Sequence, residues 1–466
     1  MPWRESFEPV RMQRVALLAP RESLRDVLVE TAASGSAELD VWAEVGTLTP
    51  AARLLQRTPV ADAVQPVLSR DEPDLDALVR EGRVDLLAGE AQLQERSASA
   101  VTRDLVVAMG GWVSEAAVAG LADRLGPHGG AVVPLPAPRG VDPPTLVHSR
   151  GRLNRSFAPL MDTYATVPYR DVDPTVVAGL AYVFMFGMMF ADAGQGAMLL
   201  LLGVLLRAGR PARLVRFRQV WLFLVGAGLS AMFFGALFGE FFGPTGVLPV
   251  LWFEPLEEPI LLLEVAIGVG AVLLSGAYAI GTTNRWREGG WRYAVVAPSG
   301  FAGVAIFLGL GLVLLGTYLP AAWLVSLGAA VVVLGLSLTF VGLLATSGGG
   351  GAGVAQATIE LFDGIVRLGT NVVSFARLAA FGLAHAALGG ILWEGTSSLW
   401  ASGGVRALAA VLLFVVGNVL TFTLAAVVAG VQALRLEYYE LFSRVFVTEG
   451  RAFRPWTLPV TPERAS

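Results

Sequence analysis

Arg377 stands inside the apolar run NVVSFARLAAFGLAHAALGGILW, with His385 eight residues further on, and Arg435 closes a second run, GNVLTFTLAAVVAGVQALRLEYYE. An ionisable side chain at the centre of a membrane helix costs about 2.5–3.5 kcal/mol, so such a group is functional, paired, or reaching for the interface. A guanidinium keeps its proton, so the chemistry open to Arg377 is that of a fixed positive charge. An imidazole can also take up and release a proton near neutrality. The plainer alternatives are that both arginines extend to the headgroups, Arg435 the more readily because it ends its run, and that His385 is a hydrogen-bonded core histidine. Asp363 precedes Arg377 by fourteen residues, close to four helical turns, so the two share a face if one helix reaches down to Ile359. Glu360, Asp363 and Arg367 recur at helical spacing, which fits either the polar start of a long tilted helix or a solvated connecting helix; Gly364 and Gly369 weaken its continuity.

The elements that would hold these residues follow from the distribution of apolar side chains. The chain has 466 residues, 54% hydrophobic and 15% charged, and the apolar ones are concentrated between Pro174 and Leu434. Spans of about twenty apolar residues cross a bilayer. Eight runs qualify or nearly do: 174–190, 194–206, 221–238, 259–280, 294–317, 321–344, 371–393 and 405–434, the second being the shortest. Basic loops stay on the cytoplasmic side. The loops holding Arg207, Arg210, Arg213, Arg216 and Arg218, and Arg285, Arg287 and Arg292, fall on one side with the tail carrying Arg444, Arg451 and Arg454; the loop with Glu254, Glu257 and Glu258 falls on the other. Eight spans then put both termini in the cytoplasm, in keeping with an N-terminus that lacks the apolar core of a secretory signal.

Residues 1–172 read as a cytoplasmic α+β domain and residues 173–466 as a transmembrane domain with a cytoplasmic C-terminal tail, the last two membrane helices long and tilted. Met12–Leu18 alternates as a strand, Arg21–Ala32 is helical and Ala37–Trp42 is again strand-like. A second such unit runs from Asp104–Val107 through a helix at Ser114–Leu125 to Ala131–Val133, so the domain reads as two lobes. Between them, Leu75–Ala100 is a charged helical stretch with room only for a short hairpin arm. There is no cysteine, and only His128, His148 and His385 offer imidazole, so no metal centre or cofactor site is expected. A net charge of −4 gives no support to nucleic-acid binding. There is no lysine either, and no G-x-x-x-x-G-K-[ST] loop; SGGGG at 347–351 lacks the groups that grip a phosphate, so ATP is not handled by this chain.

Several stretches resemble one family. Asp173-Pro174-Thr175 followed by FMFGMMFADAGQG is similar to the DPT and FGMMFGDxGHG signature opening the membrane domain of V/A-type ATPase a/I subunits. SFARLAAFGLAHAAL resembles the family's SYLRLWALSLAHAQL, and VQALRLEYYELF its VHSLRLHWVEFF. GGWV at 110–113, DPPT at 142–145, and Tyr164 with Pro168-Tyr169 match the family's approach to the membrane, so the chain is identified as a short-armed bacterial member. The resemblance implies a stator with two half-channels for H⁺ or Na⁺, working against a proteolipid c/K ring and anchored by peripheral-stalk E/G and central-stalk d/C subunits in the lipid of the cell membrane. It assigns the channel arginine to Arg377, a second arginine to Arg435, a histidine on the outer side to His385 and a cytoplasmic-side acid to Asp363. Ser374, Asn418, Thr421 and Gln432 are further half-channel candidates. Gln195 and Gln432 replace histidines common in the family, and Ala425 stands where eukaryotic members have Glu, so the outer path must rely on His385, water or groups such as Asn418 and Thr421. A secondary transporter is the alternative from another class, though no inverted halves are detected. A structural or regulatory membrane subunit with a degenerate channel is the other.

Overall fold

The computed structural model describes residues 9–41, 48–58, 64–138, 140–146, 156–157, 159–161, 166–209, 218–446 and 449–461. Trp42, His148, Tyr164, Arg210, Arg213 and Arg216 lie outside the described residues. The chain divides into two compact units, Pro9–Val147 with Gly450–Ser466, and Met1–Glu8 with His148–Glu449.

In the smaller unit, strand β1 (Met12–Pro20) pairs antiparallel with both β4 (Val106–Ser114) and β5 (Ala131–Leu135). β2 (Ala37–Leu39) and β3 (Val101–Arg103) both pair with β4, and the principal order is β2-β4-β1-β5. Alternation along β1 buries Val15, Leu17 and Ala19, which pack with Val27, Leu28 and Ala32 of helix α1 (Leu24–Ser34) and Leu121 and Leu125 of α5 (Val118–Leu125). Gly35, at φ 57, ends α1 by turning its N–H back to Thr31 and Ala32. The two strand–helix–strand repeats are therefore present, but they interleave as a split β-α-β arrangement in one sheet instead of forming the two lobes expected.

The expected hairpin arm is also changed. Its residues form α3 (Leu75–Arg80) and α4 (Val84–Ala98), and a further helix, α2 (Pro50–Arg57), precedes them. Leu78, Leu87 and Ala91 close a small core with Ala51 of α2, and Arg25 of α1 makes two hydrogen bonds, 3.0 and 2.8 Å, to the buried Glu90 of α4. A helix with this second apolar face is held against the unit, because projecting it would expose Leu87 and leave Arg25 without its carboxylate.

Among the described residues, the regular elements of the larger unit are helices. Its helices are α6 (Thr175–Phe190), α7 (Ala193–Arg207), α8 (Trp221–Phe238), α9 (Pro259–Val296), α10 (Phe301–Tyr318), α11 (Ala322–Thr346), α12 (Gly350–Ser374), α13 (Ala376–Ala401) and α14 (Val405–Leu436). Among the described residues, six helical stretches are long and apolar enough to cross a membrane, and α6 and α7 are apolar but only 16 and 15 residues long. The chain is a multi-pass membrane protein by these lengths and compositions. Small residues let the helices approach: α7 and α8 meet at Gly196 and Gly228, where a Cβ on Gly196 would lie 2.9 Å from the Gly228 carbonyl. The core they enclose contains Met185, Met188, Phe190, Phe234 and Phe375.

Candidate functional site

Helices α12 and α13 are consecutive, joined at Phe375 by a tightened turn. The N–H groups of Phe375 and Leu378 bond to carbonyls three residues back, at 3.2 and 2.9 Å. Phe375 is fully buried, its ring filling the space left by Gly270 of α9. Because Leu378 bonds to Phe375, the Ser374 carbonyl has lost its usual helical donor. Arg377 takes it instead, Nε donating at 3.0 Å. Arg377 Nη2 donates to Glu440 Oε1 at 2.5 Å, and Glu440 lies on a π-helical turn, Glu437–Phe442, that follows α14. The Arg377 side chain is 21% exposed and that of Glu440 6%. Arg377 is therefore ion-paired within its own chain, and the reading in which it simply extends toward headgroups does not describe it. Ser374 takes part through its carbonyl.

Eight residues along α13, about 12 Å at 1.5 Å per residue, His385 is buried with its ring stacked on Phe190 at 5.2 Å, and its Nδ1 has no hydrogen-bond partner among the described residues. Near Phe190, Asp192 caps α7. One of its oxygens accepts from the N–H groups of Gln195 at 2.8 Å and Phe242 at 3.0 Å, and the other accepts from Gly243 at 2.9 Å. That cap fixes Gln195, whose amide donates to Asn418 Oδ1 at 3.3 Å and Thr421 Oγ1 at 3.4 Å on α14. Glu240, in the loop after α8, is also buried; desolvation, with Asp192 and Glu254 adding repulsion, pushes its carboxyl up to about 8. The structure thus joins Asn418 and Thr421, expected from sequence, to Asp192 and Gln195, and buries Glu240 close to Asp192.

Asp363 is in a different place. It is exposed, ion-paired to Arg367 at 2.7 Å, and lines a cleft of about 220 Å³ with Glu360, Thr339 and Arg444. Asn371, its amide oriented to donate to the Arg367 carbonyl at 3.0 Å, accepts from Arg444 at 3.1 Å. The α12–α13 turn separates this cleft from His385, and Arg377 lies just past the turn. Arg435 is exposed and has no ion pair among the described residues, and Gln432 Oε1 is buried without a partner among them. The structure therefore groups Arg377 with Ser374, but not with Asp363.

Glu437 and Glu440 were missed by the sequence reading. Both are buried, and each has one carboxylate oxygen, Oε2, without a hydrogen-bond partner among the described residues. They read as the polar end of the eighth run, and the only available signal was two acids three residues apart following an arginine, as a membrane helix leaves its apolar stretch.

The fold and site define a polytopic helical membrane protein with a fixed cation at a helix turn and polar clusters on either side of it along the chain. A sequence profile described as the V-type ATPase 116kDa subunit family matches residues 110–248. The chain is 26% identical over 309 residues to an A-type ATP synthase subunit I of Pyrococcus horikoshii, an alignment covering 64% of this chain and 45% of that one. With the corresponding subunit of Aeropyrum pernix it shares 25% over 387 residues, 71% of this chain and 53% of the relative. With V-type ATP synthase subunit I 2 of Treponema pallidum it shares 37% over 106 residues, 23% of each. These matches support the resemblance of the chain to V/A-type ATPase a/I subunits. The chain spans about half the length of the curated relatives it matches.

Proposed function

We propose that this chain is the ion-channel and stator subunit of a rotary ATPase, with Arg377 as the fixed cation between two half-channels for H⁺ or Na⁺. The observation that carries the reading is Arg377 itself: a guanidinium within the apolar helical unit, anchored at a helix turn. Asp363 and its cleft belong to the cytoplasmic half-channel; His385, Gln195, Asn418 and Thr421 belong to the outer one. A ring of proteolipid subunits brings buried carboxylates past Arg377 one at a time. Each carboxylate is attracted to the guanidinium in a medium of low dielectric and gives up its ion there, and the same charge blocks a direct leak between the half-channels. Arg435 shares the arriving carboxylate, and Gln432 lines the approach on α14. The peripheral-stalk E/G and central-stalk d/C subunits are the soluble partners, and both termini are cytoplasmic.

The test is Arg377→Ala in the assembled complex, reconstituted into vesicles. Assembly is retained and ATP-driven ion uptake falls to background; uptake at the wild-type rate would overturn the reading. A secondary transporter would move ions without any ATPase head, and vesicles holding this chain alone check that.

A further inference from the structure

Arg377 lies where a ring carboxylate is proposed to bind, yet it is already neutralised. Glu440 holds it at 2.5 Å, and the two parts of the pair are built differently. Glu440 is rigidly carried: the π-helical turn beneath it packs Leu441 and Phe442 into the interior, and Tyr438 on the same turn donates to the Leu160 carbonyl at 2.7 Å. Single π-helical turns inside α-helices recur at functional positions because the extra residue re-aims a side chain. Arg377, by contrast, is more exposed than its partner, and its described hydrogen bonds use only Nε and Nη2, so a five-donor guanidinium retains Nη1 for a second carboxylate. On the carboxylate side, Oε2 is buried without a hydrogen bond among the described residues, so Glu440 is not locked into a saturated network that would resist exchange.

We propose that Glu440 is the resting counter-ion of Arg377, and that each arriving ring carboxylate takes over the guanidinium from it and returns it on leaving. This rests on the stator reading above and adds a positioning residue to it. A cation in a low-dielectric interface without a partner would bind the next carboxylate so tightly that release became slow. A carboxylate fixed on the same chain makes both ends of the exchange ion-paired, so the arginine changes partners without being stripped of one. Glu440 acts only through Arg377.

Glu440→Gln separates charge from shape, since the amide fills the same space and still accepts from Nη2. In the purified complex reconstituted into vesicles, with Glu440→Asp and Arg377→Ala alongside, Glu440→Gln assembles normally but pumps at least tenfold more slowly than wild type. Glu440→Asp, which keeps the charge, recovers at least a third of the wild-type rate. Pumping by Glu440→Gln at the wild-type rate while Arg377→Ala is inactive overturns the counter-ion and leaves the stator reading standing. Pumping by Arg377→Ala overturns the stator reading itself. Loss of assembly in Glu440→Gln, with Glu440→Asp assembled, or equal losses in Gln and Asp, overturns the exchange in favour of a packing role.

Discussion

Arg377 is held by two contacts of unlike strength. The bond from Nε to the Ser374 carbonyl is local and exists because the turn at Phe375 leaves that oxygen free. The bond to Glu440 joins residues 63 positions apart and is a charge-assisted pair in a mostly buried setting. Removing one member of such a pair costs about 3–5 kcal/mol, because the survivor stays buried without its counter-charge. Lysine cannot replace this arginine: an ammonium has no planar fork to bond a backbone carbonyl and a carboxylate together, and it is more strongly hydrated. Arg377→Lys is accordingly expected to assemble and to pump at less than a hundredth of the wild-type rate, measured as acidification or sodium uptake in vesicles. A Lys variant with more than a tenth of normal pumping would show that charge alone suffices.

The elements most legible in the sequence were those with a single strong period. Six of the eight apolar runs became helices of spanning length because nothing but burial in an apolar medium suits twenty such residues, and β1 followed from its alternation. The turn at Phe375 was not legible, since SFARL carries neither Gly nor Pro; it is imposed by the Phe375 ring packing into the space left by Gly270, a contact more than a hundred residues away. Buried charge at the start of α6 was hidden for the same reason. Asp171 is fully buried 3.9 Å from Arg285 of α9, and Arg285 is 2.8 Å from Glu288. Asn284 ties the same region together, accepting from Val172 N–H at 2.9 Å and donating to the Val445 carbonyl at 3.1 Å. Burial and Glu288 outweigh Arg285 and push the Asp171 carboxyl up to about 7. A carboxyl raised on folding stabilises fully below its unfolded value near 3.8, and that contribution is lost as pH rises through about 7. Asp171→Asn should therefore raise the melting temperature at pH 8 and leave it unchanged at pH 3, read by scanning fluorimetry in detergent. An equal shift at both pH values would mean that Asp171 does not titrate in this window.

At the scale of the whole chain, the half-channel assignment has a sided consequence. Gly364, beside Asp363, borders the cleft and has open space around it, and Thr421 lies with Gln195 and Asn418. In a protein with no cysteine of its own, Gly364→Cys and Thr421→Cys are expected to react with a membrane-impermeant maleimide from opposite faces of oriented vesicles, and labelling from one face would reverse the assignment of one cluster. The larger departure from the sequence reading concerns the C-terminal segment, which was expected as a plain tail. Its residues instead complete the smaller unit. Arg451 pairs with Glu38 at 2.8 Å, Trp456 N–H donates to the Ala37 carbonyl at 2.9 Å, and Leu68 and Val460 form a parallel bridge. Nothing in RAFRPWTLPV signals this locally, because its partners lie some 400 residues earlier and two of its positions are prolines that suit an extended strap. Trp456 carries most of the attachment: it is 4% exposed, its Nε1 donates to Gln92 at 3.1 Å, and Arg96 lies over its ring at 4.9 Å. Truncating a buried aromatic of this size to alanine costs about 3–5 kcal/mol. Trp456→Ala in the intact protein should thus speed amide exchange in β1, β4 and α1 by at least a hundredfold and leave α6–α11 unchanged. Unaltered exchange in β4 would show that the segment rests on the sheet without stabilising it.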